Sequence, residues 1–89
     1  MEMEKVTKYI IGANNEYKTK DLHEASFLYA KGKKLLRLEG GDREFWFVFE
    51  DLESCEILSN SYWSREATIV AKELIDSIRT LKDMIFSKK

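Results

Sequence analysis

Only His23 and Cys55, among 89 residues, carry side chains with intrinsic chemistry near neutral pH. A nucleophilic pair would need them within hydrogen-bond reach, with a third group orienting the imidazole. Helical spacing puts Cys55 on the inner stripe of a helix, where a free cysteine packs as a small hydrophobe. His23 falls beside Leu22 near a helix start, where the positive end of the helix dipole disfavours imidazolium. Glu50, Asp51, Glu53 and Glu56 are the residue types that converge on magnesium in nucleases and phosphotransferases. Each has a plainer use: Asp51 caps a helix, Glu53 complements its dipole and Glu56 faces solvent. No lysine follows Glu50 at short spacing, and Gly40-Gly41 sits between two strands, without the following helix that a phosphate loop requires. The sequence therefore assigns no catalytic residue, no metal ligand and no cofactor, and reads as a protein that is not an enzyme.

The most informative stretch is Glu44-Phe45-Trp46-Phe47-Val48-Phe49-Glu50. Strand alternation sends Phe45, Phe47 and Phe49 to one face and Trp46 and Val48 to the other. In the strand before it, the same alternation sets Leu36 and Leu38 against Leu35, so the sheet is expected to be apolar on both sides. Three readings compete for the Trp46/Val48 face. Another part of the chain covers it, or a second subunit does, since large apolar patches mark interfaces. In the third, nucleobases stack on Trp46 and on Trp63 while Lys33, Lys34, Arg37 and Arg43 hold phosphates. Trp46, Val48 and Trp63 are thus the candidate interaction face, although Trp63 alone reads as a packing anchor where two helices join.

The elements that position these residues follow from turn and cap signals. Residues 5–11 are β-branched and aromatic enough for a strand, followed by a turn at Gly12-Ala13-Asn14-Asn15 and a short extended piece through Tyr17 and Lys18. Thr19 is the expected N-cap of a helix over 20–31, ended by Gly32. Strands 34–39 and 44–50 flank Gly40-Gly41-Asp42-Arg43 as a hairpin. Asp51 caps a helix over 52–62 whose inner stripe is Leu52, Cys55, Leu58 and Tyr62. Ser64 is the expected cap of a last helix over 66–86. Ala67, Ala71, Leu74, Ile78, Leu81 and Ile85 form its seam, widened by Val70, Ile75 and Met84. The fold class is α+β: a small antiparallel sheet built on a hairpin and packed with helices 20–31, 52–62 and 66–86.

A chain of 10.5 kDa makes a single domain, residues 1–89, which buries about 64% of its unfolded surface. One cysteine and one histidine exclude a disulfide framework and a zinc-finger ligand set. No apolar run approaches a membrane span, and the N-terminus lacks the pattern of an export signal, so the expectation is a cytoplasmic protein without a membrane partner. The formal charge of −1 argues against a partner held by bulk positive charge. The charge is blocked, however. Residues 17–43 are net basic and 44–66 strongly acidic, a pattern able to steer a charged partner or to complement itself across a dimer.

Tyr17-Lys18-Thr19-Lys20-Asp21-Leu22, the helix-ending Gly32, Phe47-Val48-Phe49-Glu50-Asp51 and Arg79-Thr80-Leu81-Lys82-Asp83 resemble, in order and spacing, one family. It consists of short, uncharacterised bacterial, archaeal and phage proteins classed as a domain of unknown function, and the resemblance spans residues 17–86. It implies a small stand-alone domain, often encoded near mobile elements, and no activity, so no catalytic residue is carried over. His23 stands where the family commonly has an aromatic after the Asp-Leu pair, and residues 1–16 lie outside the pattern. The functional expectation is a non-enzymatic protein-interaction module able to form a homodimer. The alternative is a nucleic-acid-associated accessory protein of a mobile element or phage.

Overall fold

The computed structural model describes residues 15–88, so the strand expected over 5–11 lies outside the described residues. The elements run β1 (Glu16–Thr19), α1 (Leu22–Ala30), β2 (Leu35–Gly40), β3 (Phe45–Glu50), α2 (Leu52–Trp63) and α3 (Ala71–Lys88). The three strands form one antiparallel sheet in the order β1-β3-β2, with β2 and β3 as the expected hairpin. An α+β fold is what the turn and cap signals predicted. The short extended piece through Tyr17 and Lys18 is a full edge strand, because the central β3 offers a hydrogen-bonding edge on each side. At the hairpin, Gly40 has φ +102, and a Cβ there would lie 2.5 Å from the Glu44 carbonyl oxygen.

Phe45, Phe47 and Phe49 are buried on one face of β3, as alternation requires. Phe47 and Phe49 join Ala25, Phe27 and Leu28 of α1, Cys55 of α2 and Leu81 of α3 in the core. Helix α1 is central in the helical layer and packs against both α2 and α3.

The partner strand departs from simple alternation. Leu35 pairs with Phe49 and Leu38 with Phe47, with a register shift between Leu35 and Arg37. Leu36 is the extra residue of a β-bulge. It is displaced to solvent, while Leu35 and Leu38 both reach the core face. The expected opposition of Leu36 and Leu38 to Leu35 is therefore wrong by one residue. The other face of β2 carries Arg37 and Glu39 instead of leucines.

Cap chemistry also moves two boundaries. Thr19 closes β1, and its hydroxyl accepts from the Asp21 amide at 3.1 Å. The N-cap of α1 is Asp21, whose carboxylate accepts from the Glu24 amide at 2.7 Å. Gly32, at φ +94, ends α1 as expected, and the Lys33 amide returns to the Leu28 carbonyl at 3.0 Å. Asp51 caps α2 as expected, accepting from the Ser54 amide at 3.2 Å. Ser64 is the C-cap of α2, not the start of the next helix. Arg65 is left-handed, and the Glu66 and Ala67 amides both bond back to the Ser61 carbonyl. Those bonds hold the chain out of helical geometry, so α3 begins at Ala71 instead of 66. Leu74, Leu81, Met84 and Ile85 of the expected seam pack against the core, whereas Val70 and Ile75 point outward.

The bulge separates two leucines that neighbour one another in composition only. Leu36→Ala should change unfolding free energy by no more than about 0.5 kcal/mol, whereas Leu38→Ala should cost about 2 kcal/mol in urea melts. Equal costs for the two would contradict the register.

Candidate interaction surfaces

The outer face of the sheet bears Trp46 and Val48, but ion pairs cover much of it. Lys18 of β1 reaches Glu39 of β2 at 3.1 Å. Arg37 of β2 bonds Glu16 of β1 through two nitrogens, at 2.8 and 3.1 Å, and Glu39 at 2.8 Å. Both pairs cross over β3 at Val48, whose register partners are Lys18 and Arg37. Val48 is fully buried, and the aliphatic stems of these two residues are its neighbours across the sheet. The Arg37 guanidinium holds the Glu16 carboxyl below its ordinary range, and Lys18, with Arg37, does the same for Glu39. Trp46 keeps 37% of its surface exposed beneath the Lys20 ammonium, 5.2 Å from the ring centroid.

The other expected contacts are scattered. Trp63 sits in the helical layer at the end of α2, edge-on to Tyr62 with ring centroids 5.1 Å apart, so it shares no surface with Trp46 on the outer sheet face. Of the four basic residues, Arg37 is committed to Glu16 and Glu39. Lys33 ties the hairpin to α2 through Ser54 at 2.7 Å and Asp51 at 3.6 Å. Lys34 and Arg43 are exposed. No single basic strip joins the four to Trp46.

An open groove of about 440 Å³ lies where the starts of α1 and β3 meet the end of α3. Leu22, Phe45, Phe47 and Ile85 line it, with Lys20, Arg43 and Glu44 at its rim. Lys20 and Glu44 are paired there at 3.3 Å and both are largely solvated.

The two reactive side chains lie in opposite surroundings. His23 is exposed on the first turn of α1. Cys55 is fully buried, its thiol 3.5 Å from the Glu50 carbonyl, and burial pushes its pKa from an ordinary 9.0 up to about 11. Among the described residues, no group of three or more histidine, cysteine, aspartate or glutamate side chains is placed to hold a metal ion.

The buried polar centre lies elsewhere. Glu24 is 4% exposed, and its carboxylate accepts from the Thr19 hydroxyl at 2.8 Å, the Ser59 hydroxyl at 2.6 Å and the Tyr17 phenol at 2.5 Å. Three O–H donors from β1 and α2 thereby replace the hydration of one carboxylate on α1. Burial, reinforced by the bond to Glu24, drives the Tyr17 phenol well above its ordinary range.

The family model of a domain of unknown function (DUF5659) matches residues 14–87, nearly the whole chain. The chain belongs to this family. No curated protein and no solved structure matches it. Membership of DUF5659 brings no activity with it, so the geometry of this chain has to carry any functional reading.

Reading the residues one by one missed the Tyr17–Thr19–Glu24–Ser59 cluster in this DUF5659 chain, although two signals were present. Tyr17 and Thr19 alternate onto one strand face, and Asp21-x-x-Glu24 has the spacing of a capping box. Glu24 forgoes the usual return bond to the cap amide, which Thr19 supplies, and turns inward.

Replacing Glu24 by alanine should cost about 2–3 kcal/mol in urea melts by stranding buried hydroxyls, and by glutamine less, since one acceptor remains. A loss under about 0.5 kcal/mol for alanine, the level of a surface change, would show that the cluster stabilises little. A second expectation concerns alkaline pH. Cys55 and Tyr17 both have raised folded-state pKa values, so the unfolded chain loses these protons first. The thiol's stabilising effect is complete below about pH 9 and is lost as pH rises toward 11, whereas the phenol's is lost only from about pH 10 upward. Urea midpoints should therefore fall over that window, and Cys55→Ala should remove part of the fall; an unchanged slope would exclude the thiol as a contributor.

Proposed function

We propose that this DUF5659 chain is a non-enzymatic protein-interaction module that associates with itself. The observation that carries the reading is the outward side of α3 and its lead-in. Val70, Ile75 and Phe86 stand 60%, 55% and 69% exposed there, on a helix whose inner stripe already satisfies the core. Ile75 and Phe86 lie about three helical turns apart on one stripe, with Arg79 and Lys82 between them. Aromatic side chains are enriched at interface cores and charged ones at the rim, so Phe86 is the group on this face best suited to be covered on association. The Trp46/Val48 face is less available, because ion pairs cross Val48 and a lysine overlies the tryptophan. Among the described residues no helix is long and apolar enough to cross a membrane, which fits a protein surface as the partner.

Light scattering on the full chain should give a mass near 21 kDa, twice the 10.5 kDa of one chain, with a fraction that grows with concentration. A constant 10.5 kDa up to about 500 µM, where even weak contacts are populated, would refute self-association.

A further inference from the structure

We infer that Phe86 of one copy seats in the groove between α1, β3 and α3 of a second copy, and that the reciprocal contact closes a two-fold dimer. The inference rests on the self-association reading and specifies where it happens. Ile85 lines the groove of its own chain, and Phe86, the next residue, turns away from it and is the most exposed large apolar side chain among the described residues. A knob and a hole therefore lie side by side on one patch. That is the requirement for an isologous interface, in which residue i meets j of the partner while j meets its i, and the contact closes at two chains.

Size and chemistry agree with this occupant. The groove, at about 440 Å³, has an apolar floor of Leu22, Phe45, Phe47 and Ile85, suited to an aromatic ring. Its rim has both signs, Lys20 and Arg43 with Glu44, and so have the flanks of Phe86, Asp83 with Lys82 and Lys88. Asp83 and the carbonyl end of α3 can face Arg43 and Lys20 of the second copy, while a lysine of α3 faces its Glu44. The Lys20–Glu44 pair on the rim is long and solvated, so opening it to a partner costs little.

The test uses the full chain. Phe86→Lys should raise the dimer dissociation constant at least about tenfold in light scattering or sedimentation, as expected for an aromatic anchor. Phe86 is exposed near the end of its helix, so the variant should keep the wild-type circular dichroism. Ile57→Lys, on α2 across the central helix, should leave the constant within about twofold, as a change outside the contact. In a mixture of isotope-labelled and unlabelled chains, isotope-filtered spectra should show contacts from the Phe86 ring to the Leu22 and Ile85 methyl groups of the other copy. A dimer that Phe86→Lys leaves intact, or that lacks those intermolecular contacts, overturns this interface while self-association stands. A wild-type chain that stays monomeric overturns both.

Discussion

The burial of the Phe45, Phe47 and Phe49 face is the constraint on which the rest of this structure depends. Because β3 is the central strand, its three rings set the position of everything else. Tyr17 and Thr19 must register with Phe49 and Phe47 on one side, and Leu35 and Leu38 on the other. The helices then close over the same face through Phe27, Leu28, Cys55 and Leu81. In a chain this short, one uncovered core face would forfeit a large share of the apolar burial that offsets chain entropy. The bulge at Leu36 follows from that demand, since it lets two leucines that are three residues apart serve one face.

The opposite face of the same strand is treated differently. Among the described residues it is Glu16, Lys18, Arg37 and Glu39 that span this side of the sheet, in two crossing pairs above Val48. Individually such exposed pairs contribute little, and their effect here is geometric: long side chains lie across the central strand and exclude water from a valine. This arrangement also commits Arg37, one of the four basic residues named for phosphates, to carboxylates. Leu36 and Trp46 keep some exposure on the sheet, but the most exposed large apolar side chains are on the helical side, at Ile57, Trp63, Val70, Ile75 and Phe86.

Between the layers, the Glu24 carboxylate joins three elements through three hydroxyls. A buried charge without a cation is costly to desolvate, and the hydroxyls compensate only when β1, α1 and α2 are all in place. Together with the ion pairs of Glu16 and Lys18, such a cluster penalises alternative registers of the short edge strand β1, which has four residues.

Much of this was legible in the sequence because it depends on neighbours along the chain. The alternating rings of Phe45–Phe49, the Gly40-Gly41 turn, the Gly32 stop and the Asp51 cap are local signals, and each element they imply is present. The thiol's place in the core followed equally from helical spacing. What failed turned on which of several partners a group takes in the folded chain. Thr19 lost its capping role to Asp21 because strand pairing claimed it, and Ser64 lost its own because the Glu66 and Ala67 amides turned back to Ser61. Leu36 was displaced by a bulge that only the pairing with β3 requires. Tyr17, Glu24 and Ser59 met across as many as 42 residues of chain. Local propensity is written in adjacent residues, but which side chains share a desolvated volume is decided only when the layers close. The dry carboxylate, the ion pairs over Val48 and the groove beside Phe86 therefore belong to the tertiary structure.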